Sequence, residues 1–278
     1  QGHVALGFSV AGANEFINAG TASRLANDPL GALRVPTLYT ASSTAYNPAG
    51  DPGGSRGRRW GDYSFTSLDP GDDMTMWTIQ EFCSATDTYG VRVVKLPAPP
   101  PATPVSCSPA SLSVGVTNID LVLTGASNGD TGFFDPGLGF SNRLAAAISG
   151  NGDVTINRLT YTDPTHLTLN LSVSSAAAGG ARTITVTNPD GQSAASATGI
   201  LSIVPWPSLS AIAVSGTSAT LTWTAVAGQT YRLEYKEDIT ALTWTAVTPD
   251  VTASGPTATL TNSIGSSTQR FYRVFLLP

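Results

Sequence analysis

Apolar and polar residues alternate with a period of two in many short stretches of this chain, and that period is typical of half-buried β-strands. The first such stretch runs from residue 3 to residue 10. Its apolar residues share one face of the predicted strand, and they are Val4, Leu6, Phe8 and Val10. Further strands are predicted in the first hundred residues at 34–40, 63–68, 74–81 and 91–96.

The alternation continues to the end of the chain, interrupted by turns rich in Gly, Pro, Asn and Asp. The predicted strands of this part lie at 120–125, 153–156, 166–171, 182–187, 218–224, 230–236, 243–247, 257–262 and 270–276. Trp223 and Trp244 are expected to form the last hydrophobic core. The pattern therefore predicts an all-β protein.

Two proline-rich stretches divide the chain into parts. The first, at 97–104, cannot join the interior of a sheet and favours an extended, semi-rigid spacer. The second lies at 204–208. The predicted organisation is a β-rich segment at 1–96, a linker at 97–104, and two further modules at 105–204 and 205–278.

Short runs in the first segment form a distinctive motif. They read RWGDYS at 59–64, then DP and DD within 69–73, then MWT and EF within 76–82. The motif resembles the closing blade of β-propeller-like regions in large secreted bacterial proteins, and the resemblance implies no settled activity. Because the segment has strands for one or two blades, it is not a closed propeller, which needs at least four.

The middle module is similar to the IPT/TIG immunoglobulin-like domain over about residues 104–204. The most specific element of this resemblance is the run TNPDG at 187–191, which follows a strand. One departure is the Gly- and Asp-rich loop at 127–140, which is longer than a normal hairpin connection.

The last module resembles the fibronectin type III-like modules of bacterial secreted proteins over about residues 208–278. The runs ATLTW at 219–223, TYRLEYK at 230–236 and RFYRV at 270–274 carry the resemblance. A sandwich of that type has seven strands, whereas the sequence from 209 onward predicts six. We therefore expect one open sheet edge. The predicted fold is a partial propeller-like β segment followed by two immunoglobulin-like β-sandwiches.

Composition limits the classes of partner. Charged residues are 12% of the 278 positions and the net charge is -5, which argues against binding to nucleic acid. No apolar run approaches the roughly 18 residues of a membrane helix. The low charge and the Ser/Thr-rich strands favour an extracellular or cell-surface location. The start at Gln1 favours a mature product or a piece of a longer protein.

Two sets of residues are candidates for structural bonds or ions. Cys83 and Cys107 flank the proline-rich stretch, so they form either a disulfide across it or two buried free thiols. Clustered carboxylates suit calcium, although such residues also shape turns. The possible calcium ligands are Asp69, Asp72, Asp73, Asp130 and Asp135. No cofactor other than calcium is expected.

A basic cluster beside a tryptophan is the candidate glycan contact. It comprises Arg56, Arg58, Arg59 and Trp60 on a Gly-rich loop. The alternative is an ordinary exposed loop with a buried tryptophan.

Catalytic patterns are weak. The two histidines, His3 and His166, lie outside any nucleophile motif. Glu81 could pair with Asp62 or Asp73, but an incomplete propeller lacks the central pocket that would hold such a pair. We therefore predict that the chain is not an enzyme.

Two functions agree with these patterns. The first is a non-catalytic structural or adhesive protein whose open C-terminal edge receives a strand from a neighbour, so that copies join head to tail in a filament. The 3–10 stretch is the candidate donor, or else a strand of its own domain. The second is a carbohydrate-binding or surface-positioning region of a larger secreted hydrolase or propeller lectin. Predicted partners are other copies, neighbouring domains of a longer chain, and glycans.

Overall fold

The computed structural model describes residues 2–50 and 58–277, and within these residues it contains 22 β-strands and no helix. The predicted all-β class is therefore confirmed. No helix long and apolar enough to cross a membrane occurs in the described residues. The strands form small sheets of three or four members that pack in pairs and layers.

The first six strands form two sheets of three strands each. The strands are β1 (Val4–Gly12), β2 (Glu15–Arg24), β3 (Thr37–Leu38), β4 (Phe65–Leu68), β5 (Met76–Ala85) and β6 (Thr88–Leu96). The sheet orders are β1–β2–β3 and β4–β5–β6. Small and polar residues fill the space between the sheets. Thr78 Oγ1 lies 2.9 Å from Thr66 Oγ1, and Gln80 accepts a hydrogen bond from Ser64 Oγ at 2.6 Å.

Both faces of β1 are partly covered. Val4 and Leu6 on the apolar face are 45% and 48% exposed. Gly7, on the opposite face, lies against β5. A Cβ atom at position 7 would stand 2.0 Å from Thr78 Oγ1 and 2.3 Å from Gln80 Nε2, so a side chain there would push the sheets apart. The predicted strand is confirmed, and its apolar face is covered only in part, because Phe8 and Val10 are half-buried whereas Val4 and Leu6 are exposed.

The middle part of the chain forms three sheets around one core. Its strands are β7 (Thr103–Ser108), β8 (Ser111–Ser113), β9 (Ile119–Ala126), β10 (Ala145–Ile148), β11 (Val154–Asp163), β12 (His166–Val173), β13 (Gly180–Arg182), β14 (Ile184–Thr187), β15 (Ser193–Ala195) and β16 (Leu201–Val204). The sheet orders are β11–β12–β9–β7, β10–β14–β15 and β13–β16–β8. Alternate residues of β9, β12 and β14 are fully buried and form the core, and they are Leu121, Leu123, Leu167, Leu169, Leu171, Ile184 and Val186.

The end of the proline-rich stretch belongs to this unit. Pro101, Ala102 and Pro104 are buried, and Pro104 is paired with Gly125 inside β7. Since β7 is the edge strand of its sheet, its proline removes no hydrogen bond from the sheet interior. The prediction of a linker over all of 97–104 is therefore wrong at its C-terminal end.

The long loop at 127–140 is held by the asparagine of the TNPDG run. Asn188 is buried, and its Oδ1 accepts a hydrogen bond from Phe134 N at 3.1 Å. Its Nδ2 donates to Gly132 O at 3.1 Å. One amide thus anchors the middle of the loop at two nearby positions.

The loop and its neighbours contact the first two sheets. Arg34 forms ion pairs with Asp28 and Asp130, each at 2.6 Å. Asp73 accepts hydrogen bonds from the backbone N and the Nδ2 of Asn142, at 2.8 and 3.0 Å. These contacts join the first part of the chain to the middle part by more than the covalent connection.

A half-buried histidine completes this contact region. The ring of His3 packs edge-on against Phe134, with 4.4 Å between the ring centroids. His3 Nδ1 accepts a hydrogen bond from Ala26 N at 3.2 Å. Burial lowers the pKa of His3 to about 4. The ring is therefore neutral at pH 7, which the accepting Nδ1 requires.

The last unit is a sandwich of two three-stranded sheets in the described residues. Its strands are β17 (Leu209–Ser215), β18 (Ser218–Thr224), β19 (Thr230–Lys236), β20 (Thr245–Thr252), β21 (Thr257–Ser263) and β22 (Phe271–Leu276). The sheet orders are β17–β18–β21 and β20–β19–β22. Trp223 is fully buried beside Tyr231, as predicted for the core.

The prediction that Trp244 joins this core is wrong. Its ring is half-buried on the outer face of the β19 sheet, where Lys236 Nζ and Arg273 Cζ lie 4.7 and 4.4 Å from the ring centroid. Long cationic side chains on neighbouring strands can cover an aromatic ring from outside. The tryptophan is therefore stabilised on the surface by cation–π contacts.

Candidate functional site

A buried glutamate fixes the loop that carries the RWGDYS run. Glu81 lies on β5 and is 4% exposed. Its Oε2 accepts a hydrogen bond from Gly61 N at 2.9 Å, and its Oε1 accepts one from Tyr63 N at 3.1 Å. Gly61 has a φ of 91°, a conformation that favours glycine. The carboxylate thus sets the path of the chain just before β4.

The same network positions Trp60. Its indole Nε1 donates a hydrogen bond to Ser9 Oγ at 3.1 Å, and Ser9 Oγ donates to the backbone oxygen of Glu81 at 3.0 Å. The ring of Tyr46 packs edge-on against Trp60, with centroids 4.9 Å apart. Trp60 is half-buried, so part of its ring faces solvent.

These residues line a small cavity, which we call the Trp60 cleft. Its volume is about 190 Å³, and it is lined by Tyr46, Arg59, Trp60, Gly61, Asp62, Tyr63, Glu81 and Tyr89. The rings of Tyr63 and Tyr89 are stacked with 6.2 Å between centroids and are both exposed. Drug-sized sites are about 300–1,000 Å³, so this cleft takes one ring-sized part of a larger ligand.

The lining of the cleft has more negative than positive side chains. Arg59 forms an ion pair with Asp62 at 2.5 Å, and Glu81 adds a second carboxylate. Arg58 Nε donates to Asn47 Oδ1 at 2.9 Å, outside the lining residues. Arg56, the remaining member of the predicted basic cluster, lies outside the described residues. Trp60 and Arg59 thus contribute to one site, whereas Arg58 is at its margin.

The predicted calcium ligands at 69–73 serve the turn instead. Asp69 accepts hydrogen bonds from Gly71 N at 2.8 Å and from Trp77 Nε1 at 2.9 Å. Asp72 Oδ1 accepts from the backbone N of both Met74 and Thr75, at 2.9 and 2.7 Å. The carboxylate of Asp73 is directed to Asn142, as described above.

The other predicted ligands are ion-paired with arginine. Asp130 pairs with Arg34, and Asp135 pairs with Arg143 at 2.5 Å. The guanidinium of Arg34 holds the pKa of Asp130 below its usual value. Within 2–50 and 58–277, no group of three or more His, Cys, Asp and Glu side chains could hold a metal ion. In the described residues, the oxygens of the predicted calcium ligands serve turns and salt bridges.

The two cysteines are separate buried thiols. Cys83 lies on β5 and donates to Ala85 O at 3.2 Å, while Cys107 lies on β7 and donates to Ile200 O at 3.0 Å. Burial raises the pKa of the Cys107 thiol. The structure therefore has the free-thiol alternative and not the disulfide, since each thiol belongs to the core of a different unit.

The predicted donor strand also has its own partner. β1 pairs with β2 from Val4 opposite Arg24 to Gly12 opposite Glu15. The alternative that this stretch is a strand of its own domain is the one observed.

Candidate catalytic side chains are dispersed. Both oxygens of Glu81 accept backbone hydrogen bonds, Asp62 is paired with Arg59, and Asp73 is bound by Asn142. His166 Nδ1 lies 3.0 Å from Asp163 in a surface turn. The pairs that the sequence suggested for general acid and base are therefore occupied by structural contacts.

The sequence interpretation missed three aromatic members of the cleft. Tyr46, Tyr63 and Tyr89 come from separate segments, and the pairing of Cys83 with Tyr89 across β5 and β6 brings the last one near. Tyr63 belongs to the RWGDYS run, so the sequence offered a signal for this one member of the cleft. The other two are joined to the site by tertiary packing alone.

No family model matches this chain, and no curated protein matches it. Among solved structures, the chain is similar to the Bacteroides ovatus mixed-linkage glucan utilization locus SGBP-B in complex with mixed-linkage heptasaccharide, with 13% sequence identity and a TM-score of 0.25. The match covers 73% of this chain and 58% of that one. A similarity at this TM-score carries no inference about the function of the chain.

Proposed function

We propose that this protein is a non-catalytic extracellular carbohydrate-binding protein, and that the Trp60 cleft is its binding site. The observation that carries the proposal is the arrangement of Trp60 and the tyrosine pair around a buried carboxylate. Sugar rings have an apolar C–H face that packs on aromatic rings, and their hydroxyl groups bond to charged side chains. The cleft offers both kinds of contact.

The cleft favours a neutral glycan. Arg59 is neutralised by Asp62, and Glu81 leaves the lining without excess positive charge. An acidic glycan would meet two carboxylates in this small volume, which is unfavourable when like charges approach. Tyr63 and Tyr89 of the cleft are exposed, and exposed Phe65, two residues after Tyr63, extends an aromatic surface over which a chain of sugars can continue.

The non-catalytic and extracellular parts of the proposal rest on separate grounds. The carboxylates of the cleft are engaged in hydrogen bonds and an ion pair that build the loop. The low charge and Ser/Thr-rich strands support a secreted setting, and the predicted resemblance to IPT/TIG and fibronectin type III-like modules agrees with it.

The test is binding of the purified chain to an array of neutral and acidic oligosaccharides, followed by calorimetry on the best ligand. We expect Trp60→Ala to weaken binding by about tenfold or more, because a stacking surface worth ~1.4 kcal/mol or more is lost. Trp206→Ala is the matched control, since Trp206 is an exposed tryptophan far from the cleft in sequence. Equal binding by the Trp60 variant and the wild type would contradict the assignment.

Self-assembly is a second candidate function, and one observation in the last unit favours it. Ile212 and Val214 on β17 are 56% and 64% exposed. They pair directly with Leu221 and Ala219, which are buried on the core face of β18. Two apolar residues that face the sandwich core are thus left uncovered. The test is sedimentation of the wild-type chain from micromolar to millimolar concentration, with species of two or more chains expected.

A further inference from the structure

The uncovered residues of β17 line one side of an open slot in the last sandwich. β20 lies against β21 on one side of this unit, so β17 and β22 lie on the other side. On β22, the core-facing residues are those opposite Tyr231, Leu233 and Tyr235 of β19. They are Leu276, Val274 and Tyr272, and all three are half-buried. The slot is therefore apolar on both walls.

The slot also has an open backbone edge. β22 pairs with β19 on one side, and within the described residues no strand pairs with its other side. β22 contains a single charged residue, Arg273, which points to the outer face beside Glu234. Proteins usually protect such edges with charges, prolines or bulges. An extended segment with apolar residues at alternate positions fits both the edge and the slot.

A strand with these properties lies at the other end of the chain. β1 is nine residues long and carries no charge. It is the outer strand of its sheet, so the edge that faces away from β2 is unpaired in the described structure. Its Val4 and Leu6 are exposed, in line with Phe8 and Val10 on the same face. This apolar face, exposed at Val4 and Leu6 and half-buried at Phe8 and Val10, has the alternation that the slot requires.

We infer that β1 of a second copy of this chain docks along β22 and places its apolar face in the slot beside Ile212 and Val214. The β1–β2 hairpin stays intact, because only the outer edge of β1 is used. The donor and the acceptor surfaces belong to opposite ends of the chain, so the contact is heterologous and repeats into an open filament. This inference rests on the second candidate function and names its contact.

The test uses two variants that each remove one surface. Leu6→Lys places a charge on the donor strand, and the pair Ile212→Lys and Val214→Lys places charges in the slot. Each change is at an exposed position, so we expect the fold to be retained, and circular dichroism checks this. We expect each variant alone to associate about a hundredfold more weakly than the wild type, because the lysine would be buried in an apolar contact.

The two variants mixed together give the sharper result. The Leu6→Lys chain keeps an unaltered slot, and the slot variant keeps an unaltered β1. An equimolar mixture should therefore form dimers that contain one chain of each kind, and no species larger than a dimer. Ile239→Lys, at another exposed apolar position, is the control and should assemble as the wild type does. A wild type that stays monomeric overturns the assembly function. Assembly that is unchanged in Leu6→Lys, or a mixture that stays monomeric, overturns this inference alone.

Discussion

Replacing Glu81 with alanine should release the loop at 58–64 and abolish binding at the Trp60 cleft. The carboxylate accepts the backbone N–H groups of Gly61 and Tyr63 in a buried position. Hydrogen bonds to a charged group contribute about 1.5–3 kcal/mol each, and the two donors would lose their partner together. We expect a loss of about 3 kcal/mol of local stability. Hydrogen exchange at the amides of Gly61 and Tyr63 should then be about a hundredfold faster.

Two variants make this expectation specific. Glu81→Gln keeps one acceptor oxygen but turns an NH₂ group toward the other amide, so it should show an intermediate exchange rate. Glu15→Ala removes an exposed glutamate from β2 and should leave both amides protected. Unchanged protection of Gly61 and Tyr63 in Glu81→Ala would show that the carboxylate does not hold the loop.

Strands were predictable wherever burial follows the alternation of the sequence. β18 and β19 begin and end at the predicted residues, because their inward positions carry large apolar side chains such as Leu221 and Leu233. β1 has the same period, but Gly7 lies against β5 because the two sheets approach too closely for a side chain there, and Val4 and Leu6 on the apolar face stay exposed. Alternation gives the period, and the partner sheet decides which face is covered.

The candidate site was predictable only in part for a similar reason. Trp60 and Arg59 are adjacent in a run that combines basic residues with a tryptophan, which marks them as candidates in the sequence. Tyr46 and Tyr89 are distant in sequence and reach the cleft only through tertiary packing. The aspartates at 69–73 show the opposite case. They are close in sequence, but their oxygens accept hydrogen bonds from separate backbone amides and from the side chains of Trp77 and Asn142, so they do not converge on one point.

The largest effect on stability is expected at the ion pair of Arg182 and Asp153 in the middle unit. Arg182 Nη2 donates to Asp153 Oδ2 at 2.8 Å and to Ala178 O at 2.5 Å. The two side chains are 9% and 16% exposed. Asp153→Ala leaves a buried guanidinium without its counter-charge, which costs about 3–5 kcal/mol. Denaturant unfolding should therefore show a large fall in the midpoint concentration with little change in slope.

The double variant separates the charge from the packing. Arg182 Nε and Asp153 Oδ1 are buried without a hydrogen-bond partner among the described residues, so the pair is incompletely satisfied. Adding Arg182→Met to Asp153→Ala removes the uncompensated charge and should recover most of the lost free energy of unfolding. Asp250→Ala is the matched control, because its partner Arg232 is 38% exposed and solvent-exposed pairs contribute little to stability. A double variant as unstable as Asp153→Ala alone would mean that the loss comes from packing and not from the buried charge.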